Sequence, residues 1–101
     1  MIHVIASVRV KPGRRSDYLK IFKANIPNVK AEKGCIEYRP AVDIETGIPT
    51  QVLNADMVTI IEKWENMDAL REHLGSPQFL AYREKVKDII TDVALKVLED
   101  A

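Results

Sequence analysis

Residues 61–82 hold an acid, a base and three aromatic rings in one short run: Glu62, Trp64, His73, Phe79 and Tyr82. A histidine beside a carboxylate can move protons near neutral pH, because the imidazole titrates there. A slot walled by aromatic rings can hold a flat apolar molecule while that happens. Each residue also has an ordinary reading. His73 suits a core histidine, Trp64 a core plug, and Glu62 one half of a salt bridge to Arg83 or a lysine. The chemistry needs Glu62, Trp64 and His73 to converge on one enclosed, mostly dry cavity.

The surrounding pattern decides which elements carry these groups. Met1 to Val10 alternates with period two, Ile2, Val4, Ala6, Val8 and Val10 on one face and His3, Ile5, Ser7 and Arg9 on the other, so it reads as a strand. Lys11-Pro12-Gly13 ends it by turn chemistry. From Arg14 to Glu32 the spacing of Tyr18, Phe22, Ile26 and Val29 is helical, with Pro27 expected to kink or split the helix and Gly34 to serve as a left-handed stop. Cys35 to Ile44 is a second strand. Ile36, Tyr38 and Val42 share one of its faces, and Pro40 argues for an edge position or a bulge. Glu45 to Ala55 is a long loop.

Asp56 to Glu65 is the third strand, with Val58, Ile60, Glu62 and Trp64 on one face. Asn66 caps a helix that runs to Leu74, Gly75 stops it, and Ser76-Pro77 starts another. Phe79, Tyr82, Val86, Ile89 and Ile90 form that helix's apolar stripe, which already accounts for Tyr82. Asp92 to Glu99 is the last strand. The order β-α-β-β-α-β, with the second helix broken, is the ferredoxin-like α+β arrangement: an antiparallel sheet with its helices on one face. All 101 residues fit one domain. The other face carries Met57, Thr59 and Ile61 together with Cys35 and Ala41, too apolar to be left bare, and predicts a homodimer whose sheets pack face to face.

Bulk properties exclude several classes. Fifteen basic and fifteen acidic residues cancel, which argues against nucleic-acid binding; the one basic cluster, Lys11, Arg14 and Arg15, is followed at once by Asp17. No stretch approaches the roughly 20 apolar residues of a membrane span. The first strand lacks the features of a secretory leader. One cysteine, Cys35, fits a reducing, cytoplasmic setting and reads as a small buried hydrophobe. His3, His73 and Cys35 have no metal-ligand spacing, and no glycine pattern cradles phosphate.

Pro12-Gly13, Gly34-Cys35-x-x-Tyr38, Glu62-x-Trp64-Glu65, His73-Leu74 and Ser76-Pro77 stand in an order and spacing that resemble the antibiotic biosynthesis monooxygenase family over nearly the whole chain. The run Gly34-Cys35-Ile36-Glu37-Tyr38-Arg39-Pro40-Ala41-Val42-Asp43 is most similar to the bacterial quinol monooxygenase type. The resemblance implies a dimeric α/β barrel of two ferredoxin-like halves. It also implies oxidation of a quinol or polyphenol-type aromatic by dioxygen, with no metal, flavin or other cofactor. On that reading the catalytic candidates are His73 as base and Glu62 as the acid that orients it. Trp64, Tyr38 and Phe79 line the substrate slot, Arg83 steadies an oxyanion, and Ser7 offers a hydrogen bond to ligand. The haem-degrading relatives' set of asparagine, tryptophan and histidine is missing here. Two other readings stay open: a non-catalytic dimeric module that binds a small aromatic ligand, and an isomerase-type enzyme acting on a small signal molecule.

Overall fold

A computed structural model describes residues 1–101. The elements run β1 (Ile2–Val10), α1 (Arg15–Lys30), β2 (Cys35–Ala41), β3 (Met57–Trp64), α2 (Met67–Leu74), α3 (Pro77–Val86) and β4 (Ile90–Glu99). The four strands form one antiparallel sheet in the order β2-β3-β1-β4. This is the ferredoxin-like arrangement that the alternation and helical spacing predict.

The sheet has a dry face and a half-covered one. Ile2, Val4, Ala6, Val8 and Val10 are buried beneath the helices, while His3, Ile5 and Ser7 on the other side of β1 are only partly covered. Val58, Ile60, Glu62 and Trp64 continue the dry face on β3. Tyr18, Phe22 and Val29 of α1 close over it, and Phe22 stacks on Tyr38 with ring centroids 5.0 Å apart. Seventeen buried apolar residues form a single cluster.

The helix starts follow the expected chemistry. Asn66 accepts a hydrogen bond from the Ala69 N–H, and Ser76 accepts one from Phe79 with Pro77 in the first turn. Gly34 adopts a positive φ of 84°, and a Cβ built there would lie 2.6 Å from that of Ala69, so conformation and space both demand glycine.

Three local expectations are corrected. α1 continues through Pro27 as one helix; the proline lies in its last turn, where only one backbone bond is lost. β2 does lie at the sheet edge, but its register shifts between Cys35 and Glu37. This bulge leaves Ile36 exposed and puts Cys35, opposite Trp64, on the same face as Tyr38, opposite Glu62. Ile89 and Ile90 leave the helical stripe: α3 ends at Val86, and β4 begins at Ile90.

β4 is covered least. Val93, Leu95 and Val97 pair with Val8, Ala6 and Val4 and therefore face the helix side, yet they remain 53%, 51% and 43% exposed. The helices shelter three strands and stop short of the fourth. The loop between β2 and β3 is pinned where the Asn54 N–H donates to Asp43 at 2.8 Å, and it presents Ile44, Ile48 and Val52 outward.

Candidate functional site

A cavity of about 890 Å³ opens between α3 and β4, in the space the helices leave uncovered. Ala6, Val8, Ile60 and Glu62 form its floor, and Phe79, Tyr82 and Val86 its roof. Phe22 and Tyr38 stand at one side, while Val93 and Leu95 line the β4 side. The lining is mostly apolar, the usual character of a small-molecule site. Arg83 and Glu84 of α3 and Lys87 just after it also border it.

Glu62 is the one carboxylate on the floor. Alternation along β3 turns it inward between Ile60 and Trp64, and it is 8% exposed. No cation pairs with it. Its one side-chain hydrogen bond comes from the Trp64 indole, whose Nε1–H donates to Oε1 at 2.9 Å. Burial pushes the Glu62 carboxyl up to about 7, the charge of Glu32 adds to the rise, and the indole bond opposes it. A carboxylate so placed changes protonation within the range where a general base works best.

His73 is 1% exposed and has a different partner from the one expected. Its Nδ1 lies 3.1 and 3.2 Å from the two oxygens of Glu32, just beyond α1, not against Glu62. A carboxylate accepts, so Nδ1 carries the proton. Gln78 donates a second hydrogen bond to Glu32 at 3.0 Å. Burial lowers the imidazole's affinity for a proton, partly offset by Glu32, so the ring favours its neutral form. Sequence spacing gave no hint of Glu32, because 41 residues separate it from His73.

Trp64, His73 and Glu62 are contiguous, but they do not all face the cavity. Trp64 is fully buried, with its ring centroid 4.7 Å from that of His73. His73 in turn packs 4.9 Å from Phe79 and 5.4 Å from Tyr38, which do line the cavity. The imidazole and indole thus form a layer behind the wall. Arg83 borders the cavity and makes no ion pair. Ser7 lies on the opposite sheet face, paired with Thr59 and Ala94. Tyr82 and Phe22, read from sequence as stripe residues, turn out to be lining. No residue of the β2–β3 loop takes part. No three His, Cys, Asp or Glu side chains gather closely enough to hold a metal ion. No helix is long and apolar enough to cross a membrane.

A ferredoxin-like sheet with a partly aromatic cavity beneath α3 defines a small α+β protein with one large, open apolar pocket. Residues 1–85 match the family model described as antibiotic biosynthesis monooxygenase, and the chain belongs to that family. It is 36% identical over 101 residues to the Escherichia coli protein named "Probable quinol monooxygenase YgiN", covering 98% of this chain and 97% of that one. It is 32% identical over 98 residues to Rv0793 of Mycobacterium tuberculosis, covering 96% and 88%. The solved structure of Rv0793 superposes with a TM-score of 0.81 over 99% of this chain and 94% of that one. A conserved protein from Methanosarcina mazei, 22% identical, shares the fold at a TM-score of 0.85 over 99% and 92%.

Proposed function

We propose that the protein is a cofactor-independent monooxygenase that oxidises a quinol or polyphenol-type aromatic with dioxygen. One observation carries the reading: a carboxylate pushed up to about 7, on the floor of a cavity walled by aromatic rings. Glu62 takes the proton from a substrate hydroxyl. The resulting phenolate is electron-rich enough to reduce dioxygen directly. For a hydroquinone the reaction balances without another reductant. The ring supplies four electrons, one oxygen atom enters it and the other leaves as water, and the product is a hydroxyquinone. Of the three hydrogens displaced from the two hydroxyls and one ring carbon, two end in water and one on the new hydroxyl. Arg83 at the border offsets the negative charge of the intermediates. Trp64 holds the Glu62 carboxylate, and His73, fixed by Glu32, supports Phe79 and Tyr38 from behind. The relationship to a protein named as a quinol monooxygenase supports the substrate class. The single unpaired cysteine supports a cytoplasmic setting.

Oxygen uptake on a panel of hydroquinones tests this. Turnover above autoxidation is expected, with Glu62→Gln lowering kcat at least about a hundredfold. No turnover on any member would overturn the activity.

We also propose that the working form is a homodimer joined through the sheet faces. Ile5 and Ile61 pair at the apolar centre of the half-covered face, with His3 and Lys63 beside them and Met57 farther along β3 opposite Arg9. A two-fold pairing lays this patch against its own copy. Light scattering after size exclusion should give twice the chain mass; a monomer at micromolar concentration would refute it.

A further inference from the structure

Tyr18 and Tyr82 reach each other from α1 and α3 and share a hydrogen bond between their hydroxyls, with the rings edge to face at 6.2 Å. Neither hydroxyl has another protein partner. Their surroundings differ. Tyr18 is fully buried and does not line the cavity, whereas Tyr82 does. Two hydroxyls joined by one bond must divide the roles of donor and acceptor. Were Tyr18 the acceptor, its own hydrogen would be stranded without a partner in a dry interior. Tyr18 therefore donates and Tyr82 accepts. The hydrogen of Tyr82 is left over, and Tyr82 borders two open spaces, a small one of about 180 Å³ between α1 and α3 and the larger, mostly apolar cavity floored by Glu62.

Resting on the quinol reading above, we infer that Tyr82 is a substrate-contacting residue that donates its hydroxyl hydrogen to a ring oxygen of the ligand, and that Tyr18 is the positioning residue that aims it. The donor sits in the roof, and Glu62 sits in the floor. One side of the cavity removes a proton from the ligand, and the other supplies a hydrogen bond to an oxygen that gains charge. Tyr82 stays a donor throughout, because burial and the nearby Glu62 charge, against the bond from Tyr18, push its phenol up to about 12. The arrangement selects for an acceptor oxygen. A quinone carbonyl or a phenolate satisfies the tyrosine; the same ring system without oxygen leaves it unpaired. Pattern reading did not reveal this role, because each tyrosine has a sufficient explanation in its own helical stripe.

Binding separates this inference from catalysis. A naphthoquinone and plain naphthalene are titrated against the unaltered protein, Tyr82→Phe and Tyr18→Phe, with circular dichroism checking the fold of each. Tyr82→Phe should weaken naphthoquinone binding roughly tenfold and leave naphthalene unchanged. Tyr18→Phe keeps the donor but frees its rotation, so a smaller loss, again confined to the quinone, is expected. If Tyr82→Phe binds the quinone as tightly as the parent, the inference is wrong while the quinol reading survives. If the parent neither binds the quinone nor oxidises any hydroquinone, both fall together.

Discussion

Two carboxylates, one buried and one partly buried, lie near the Trp64–His73 layer, and the protein treats them in opposite ways. Glu32 receives hydrogen bonds from His73 and Gln78 and keeps 14% of its side chain exposed. Glu62 receives one bond, from an indole, and is pushed up to about 7. A carboxylate with several donors has its oxygens satisfied and organises its neighbours. One with too few donors for its burial stays close to taking a proton. Glu32 therefore behaves as scaffold for the histidine. Glu62 is the group left in a chemically useful state, on the surface where a ligand would sit.

If this contrast is sound, the largest effect falls on Glu62. The loss of turnover in Glu62→Gln should come with a gain in stability, because glutamine still accepts from Trp64 and carries no charge. The sign follows from linkage. Folded Glu62 keeps its proton up to about pH 7, whereas in the unfolded chain it ionises near 4.5. Folding stability therefore falls as pH rises through that window, by about 3 kcal/mol in total. Denaturant melts at pH 8 should show Glu62→Gln more stable than the parent by up to that amount, and the two should converge below pH 4.5. Equal stability at both pH values would remove the distinction between the two carboxylates.

The neighbours of Glu62 sharpen the comparison by moving one number in opposite directions. The rise of kcat/KM with pH should have its midpoint near 7. Trp64→Phe removes the bond that holds the carboxylate down, so the midpoint moves up. Glu32→Gln removes a charge that pushes it up, so the midpoint moves down, and by less, since that contribution is the smaller. Glutamine at 32 still accepts from His73, which keeps the scaffold intact. A midpoint indifferent to both changes would mean that a different group controls the rate.

Much of this was legible locally. The period-two run of β1, the stripe through Tyr18 and Phe22, the cap at Asn66 and the Ser76-Pro77 restart each depend on residues within a few positions of one another. Their order sufficed for a ferredoxin-like fold, and alternation along β3 was enough to turn Glu62 and Trp64 toward the dry face. The bulge at Ile36 escaped, because Cys35-Ile36-Glu37 carries no glycine or other marker and the shift exists only against β3.

The partners of the key side chains depended on something else. Whether His73 meets Glu62 or Glu32, whether Tyr18 reaches Tyr82, and how far the helices extend over β4 all turn on how α1, α2 and α3 lie across the sheet. Periodicity fixes which face of a helix is apolar, but it leaves the crossing position free by whole residues. Side-chain packing in the assembled core sets that position, and with it the choice of which acid is braced and which is left to react.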